Sequence, residues 1–118
     1  MKNETYQWGV FKASLDPVKG SEQRGRRTVL VVSDEDFNRV MPVVTILPLT
    51  SLKPGRKIYP NEVLLEEGTA GIPNQSIILA HQIRTISKGR LEGLYGYITE
   101  VRIRDMIRIA LKIHLTLN

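Results

Sequence analysis

The stretch 16–27, Asp-Pro-Val-Lys-Gly-Ser-Glu-Gln-Arg-Gly-Arg-Arg, constrains the fold more than any other part of the sequence. An apolar run leads into it at 10–15, and a continuous run of Val29, Leu30, Val31 and Val32 leads out. Pro17 ends the first run, and Gly20 and Gly25 supply turn points. The two runs are therefore expected to form a hairpin whose loop exceeds the roughly two to five residues of ordinary hairpins. Long loops in small domains are often functional. This one gathers Lys19, Arg24, Arg26 and Arg27 with Ser21, Glu22 and Gln23. Cations and hydrogen-bonding groups so arranged suit a phosphate-bearing ligand; a solvated basic hairpin is the plainer alternative.

Composition narrows the partners. The chain has 118 residues, expected to form one domain with a single core. It carries 17 Lys and Arg against 12 Asp and Glu, a net charge of +5, which suits a polyanion or an acidic protein. It has no cysteine, which excludes disulfides, thiolate zinc sites and a cysteine nucleophile, and suits a reducing cytoplasm. No apolar run is long enough to cross a bilayer. Residues 1–7 show no signal-peptide pattern and read as a loosely attached leader.

Periodicity supplies the elements. In 8–15 the alternation slips once, at Val10–Phe11, so a bulged strand is expected. The run 29–32 reads as a central strand covered on both faces. Ser33 followed by Asp34, Glu35 and Asp36 reads as an N-cap and acidic first turn of a short helix, stopped by Pro42, with Phe37 in the core. A third strand is expected over 43–49, at an edge or bulged because of Pro48. A turn at 53–57, a fourth strand at 61–66, a loop at 68–74 and a fifth strand at 76–83 follow, the last with a pattern that can extend to 86. The glycines of 88–97 read as a connection. Residues 100–114 read as a helix, although the isoleucines and leucines after 108 also alternate as in a strand. Strands first and one long helix last argue for a mainly β fold of the α+β kind, an antiparallel sheet or partly closed barrel with helices outside.

Several blocks, in order, resemble the MazF/PemK toxins of bacterial toxin–antitoxin systems. They are Asp16-Pro17, Gly20-Ser21-Glu22-Gln23, Gly25 and Arg27; then Phe37-Asn38-Arg39-Val40; then Pro48-Leu49-Thr50-Ser51; then Gln82-Ile83-Arg84-Thr85-Ile86. The resemblance covers about 8–113. It implies an SH3-like, partly open antiparallel barrel with a short helix and a longer C-terminal helix, forming a homodimer. It implies a sequence-specific endoribonuclease that needs no metal or other cofactor and cuts single-stranded RNA. It also implies an acidic antitoxin on a separate chain. Three departures stand out: Thr28 where the family usually has proline, Trp8-Gly9-Val10 where many members have glycine and then an acidic residue, and His81 where well-known members carry a carboxylate.

Metal-free RNA cleavage needs a base for the 2′-hydroxyl proton, a cation for the phosphoryl oxygens and an acid for the leaving 5′-oxygen. Arg27 matches the family's loop arginine, and its permanently charged fork suits phosphate. Thr50 matches the family's threonine and can donate to a phosphate oxygen; a strand-end threonine is the alternative. Glu22 is a candidate base or a partner that positions Arg27. His81 has proton-transfer chemistry suited to neutral pH, and also reads as a strand histidine without a catalytic part. Lys19, Ser21, Gln23, Arg24, Arg26, Lys53, Arg56, Lys57 and Gln82 are candidate RNA contacts, the cations adding salt-dependent affinity. Two competing readings remain at this stage: a non-catalytic barrel that binds RNA or an acidic protein, and a toxin acting on a topoisomerase.

Overall fold

A computed structural model describes residues 5–15, 20, 22 and 25–118. Seven strands and two α-helices follow one another as β1 Gly9–Ser14, β2 Arg26–Val31, α1 Glu35–Val40, β3 Val43–Ser51, β4 Glu62–Leu65, β5 Ser76–Leu79, β6 Arg84–Ser87, β7 Leu91–Tyr97 and α2 Val101–Leu115. Short 3-10 turns occupy Thr69–Gly71, Ala80–Gln82 and Lys88–Arg90. Every strand pair is antiparallel, in the order β4-β5-β3-β2-β1-β7, with β6 also on β3. The mainly antiparallel β fold with one short and one long helix is the expected one.

The apolar patterns explain the layers. Leu30 packs with Val10, Leu47, Ile78 and Ile98 on one side of the sheet. Its neighbours Val29 and Val31 pack with Phe11, Ala13 and Ile46 on the other. The continuous run thus belongs to a strand covered on both faces. The first cluster is closed by α2 through Ile103, Ile107 and Ala110. Their spacing is one helical stripe. Arg104 and Arg108 hold their guanidiniums 5.0 and 5.2 Å from the Trp8 ring, which ties that helix to the start of β1. The slip at Val10–Phe11 is a register shift against β7.

The structure corrects several expectations. Thr5–Gln7 is not loose: the Tyr6 and Gln7 amides donate to the Glu35 carboxylate at 3.0 and 2.8 Å, and Tyr97 donates its hydroxyl to the Thr5 carbonyl. The α1 N-cap is Asp34, whose carboxylate accepts from the Asp36 amide. Ser33 instead bonds Asn38 and accepts from the Thr45 amide. Asn38 is buried and Phe37 is 63% exposed, because one short turn can offer the core only one narrow face.

Strand β3 extends to Ser51 and is central. Its residues 43–46 pair with β6 and 49–51 with β5. Pro48 falls between these partners, where a missing amide hydrogen costs that edge no ladder bond. The expected fifth strand breaks at Leu79 into the 3-10 turn carrying His81, and β6 resumes on β3. Residues 91–97 form a full strand rather than a connection. Gly96 there admits a backbone: a Cβ would lie 2.8 Å from the Ala70 carbonyl oxygen of the 3-10 turn that closes over β7.

Candidate functional site

The long loop's exit and the end of β3 meet in one small polar pocket. Arg26, Arg27 and Thr28 enter it at the start of β2, Thr50 and Ser51 at the end of β3, Ser76 at the start of β5 and Lys12 from the middle of β1. Its volume is about 130 Å³. Ladder pairing places these groups: Lys12 opposes Thr28, Ser14 opposes Arg26, and Ser51 opposes Ser76. Among the described residues, the lining combines three cations with four hydroxyls and includes no carboxylate. Such a lining suits an anion that accepts several hydrogen bonds, as a phosphodiester does.

The structure therefore brings Arg27 and Thr50 together from elements far apart in sequence. It adds Lys12, Thr28, Ser51 and Ser76, which sequence reasoning missed. One signal was available for Lys12: it interrupts the apolar alternation of β1 on the side that carries Val10. Arg26 lines the pocket but also pairs with Glu92 of β7 at 3.2 Å. Glu22 is exposed. Lys19, Ser21, Gln23 and Arg24 lie outside the described residues.

His81 lies elsewhere. It is not among the pocket residues and belongs to a second polar cluster built on Glu62 of β4, whose side chain is only 2% exposed. Arg56 grips that carboxylate with both terminal nitrogens, at 2.8 and 2.9 Å. The Tyr59 amide donates to it at 3.0 Å and His81 Nε2 at 2.8 Å. Arg56, with its hydrogen bond and charge, holds the Glu62 carboxyl down at about 2 against burial, helped by Tyr59 and His81. Asn61 reaches His114 of α2, whose ring centroid is 6.4 Å from that of His81. This cluster ties the 53–61 loop, the 3-10 turn and the C-terminal helix together. Arg56, expected as an RNA contact, is thus committed to an internal carboxylate. Gln82 is half-buried in the same turn, while Lys53 and Lys57 are exposed on the loop.

One further surface is unusual. Ile109, Ile113 and Leu117 are 55%, 50% and 59% exposed and line a shallow apolar groove along α2 with Lys112 and Thr116. The face toward the barrel is filled by Ile103, Ile107 and Ala110, so the helix is apolar on more of its circumference than its own fold covers. No described helix is long and apolar enough to cross a membrane.

Comparisons with known proteins agree with the geometry. The sequence profile of the family described as PemK-like, MazF-like toxin of type II toxin-antitoxin system matches residues 6–117. The chain is 33% identical over 108 residues to Endoribonuclease MazF of Staphylococcus saprophyticus, covering 89% of each protein. Its fold matches MazF from Deinococcus radiodurans with a TM-score of 0.79 at 25% identity, over 97% of this chain and 99% of that one. A mycobacterial endoribonuclease in complex with its cognate antitoxin matches equally well in fold, with a TM-score of 0.79 at 23% identity and 98% of both chains covered. With its loop arginine and β3 threonine meeting in one pocket and nearly its whole length matched, the chain belongs to the PemK-like, MazF-like toxin family of type II toxin–antitoxin systems.

Proposed function

We propose that this toxin is an endoribonuclease that cuts single-stranded RNA at a short recognition sequence by attack of the ribose 2′-hydroxyl, without a metal ion. The products are a 2′,3′-cyclic phosphate and a 5′-hydroxyl. The observation that carries this reading is the shared pocket of Arg27 and Thr50, in a chain whose relative in Staphylococcus saprophyticus is named an endoribonuclease.

Each side chain has a definite part. Arg27 neutralises charge that builds on the non-bridging oxygens as phosphorus becomes five-coordinate. Thr50 donates its hydroxyl to one of those oxygens and fixes the phosphate's orientation. Glu22, ahead of β2 in the sequence, positions Arg27 or receives the 2′-hydroxyl proton. His81 donates to Glu62 and acts through the fold, away from the reacting phosphate. Lys53 and Lys57 track the RNA backbone from the exposed loop.

The toxin is held inactive by an acidic antitoxin segment from a separate chain, as the mycobacterial neighbour solved with its antitoxin suggests. It acts as a homodimer, with the apolar stripe of α2 as the surface to bury.

The test is incubation of the purified protein with a diverse single-stranded RNA pool in excess EDTA, with mapping of the ends. Cleavage should persist in EDTA and disappear at a mapped site whose 2′-hydroxyl is replaced by hydrogen. Cleavage that survives that replacement refutes the mechanism. Binding without any cleavage points to the non-catalytic barrel.

A further inference from the structure

The floor of the pocket continues beyond it. Lys12 lies in the interior of β1, opposite Thr28 of β2 and opposite Gly93 of β7. Directly opposed residues of neighbouring strands face the same side of a sheet. Thr28, Lys12 and Gly93 therefore form a row across three strands. One end of the row is the pocket with Thr50. The other end is open: Gly93 offers no side chain, and a Cβ there would meet nothing within 4 Å. Tyr95 flanks the row, with its ring centroid 5.9 Å from the Lys12 ammonium.

Lys12 is half-buried, and its backbone is held by strands on both sides, unlike the lysines of the exposed loop. Among the described residues it forms no ion pair. It lines one small pocket with Arg27 and with Arg26, whose charge is already paired with Glu92 of β7. A polyanion brought there supplies the opposite charge that Lys12 lacks among the described residues. Among the described residues, a half-buried cation beside the open position at Gly93 fits an extended sugar–phosphate backbone.

We propose that Lys12 holds the backbone phosphate next to the scissile one, on an RNA strand that leaves the pocket over Gly93. This rests on the RNA reading of the pocket given above. The contact is sequence-independent, so Lys12 supplies affinity and register, while base recognition lies with other groups.

The test uses a single-stranded RNA carrying a mapped cut site, made uncleavable by a 2′-hydrogen at that position. Lys12→Met should bind it about tenfold more weakly, the usual scale of one charge-assisted contact. The slope of log Kd against log salt should fall by about 0.7, as for one lost phosphate on a single strand. Lys12→Arg should keep both. Gly93→Val puts a side chain into the open lane; it should weaken binding while melting no lower than the wild type. A neutral methylphosphonate at the adjacent position should penalise the wild type about tenfold and leave Lys12→Met unaffected.

Equal affinity and salt slope in Lys12→Met and wild type overturn the proposal. So does weakened binding of only a hexaglutamate peptide, which would assign the lysine to an acidic protein segment. Should Lys12→Met fail to fold, Gly93→Val and the methylphosphonate scan on the wild type decide the matter: a tenfold penalty at that one phosphate supports the assignment, and none overturns it. A wild type that neither binds nor cuts RNA refutes the RNA reading itself. A wild type that cuts beside an unaffected Lys12→Met refutes this inference alone.

Discussion

Replacing Glu62 by glutamine is expected to cost the fold about 3 kcal/mol at neutral pH and far less in acid. The carboxyl is held at about 2 in the fold against an ordinary 4.5. A tenfold change in acidity corresponds to about 1.4 kcal/mol, so the folded state gains about 3 kcal/mol from the ionised form. Direct removal of one partner from a buried pair costs about 3–5 kcal/mol, which agrees. Because the folded value is depressed, the contribution is complete above about pH 5 and is lost as pH falls toward 2. At pH 3 about 1 kcal/mol remains. The sole tryptophan, Trp8, lies where α2 meets the barrel and reports unfolding by fluorescence. Urea titrations of wild type and Glu62→Gln at one protein concentration should differ at pH 7 by about 2 M in midpoint, for a slope near 1.5 kcal/mol/M. The difference should shrink by more than half at pH 3. Equal midpoints at pH 7, or a gap that does not close in acid, would refute the account of Glu62 as the ionised anchor of Arg56, Tyr59 and His81.

Arg27→Ala should lower single-turnover cleavage by about 10²–10³ while leaving the melting temperature near that of the wild type, and retained cleavage would remove Arg27 from the site. His81→Gln should lower stability and leave the shape of the pH–rate profile unchanged; a lost limb in that profile would restore His81 as a proton carrier. Gly96→Ala places a Cβ 2.8 Å from the Ala70 carbonyl oxygen and should cost about 1–3 kcal/mol in urea unfolding, since backbone must shift to admit it. Ile113→Glu, on the exposed stripe of α2, should shift light-scattering mass from dimer to monomer without unfolding the protomer, and an unchanged mass would place any dimer contact elsewhere.

Local patterning made much of the architecture legible. The apolar run at 29–32, whose first three residues close β2, the phase slip at Val10–Phe11 and the terminal helix all survive in the structure, because each depends on neighbours within a few residues. Residues 91–97 misled because glycine reads as loop wherever it stands, yet Gly96 serves a backbone contact from the distant 3-10 turn at 69–71. Phe37 misled for the opposite reason: hydrophobicity does not say which side of a single-turn helix faces in.

The site divides in the same way. Arg27 and Thr50 were readable from the order of sequence blocks. Their shared pocket was not, since it depends on β3 crossing from β2 and β6 to β5. Lys12 entered only with strand register, which sets Thr28 and Gly93 beside it. His81 left the pocket because the chain turns at Leu79 and delivers its imidazole to a buried carboxylate. The sequence by itself determined the β1 and β2 strands, the third and fourth strands and the terminal helix, since propensity and periodicity are properties of adjacent residues. Tertiary structure alone decided which charges gather at the polar pocket and which are spent inside the protein, because burial and pairing depend on residues brought together by the whole fold.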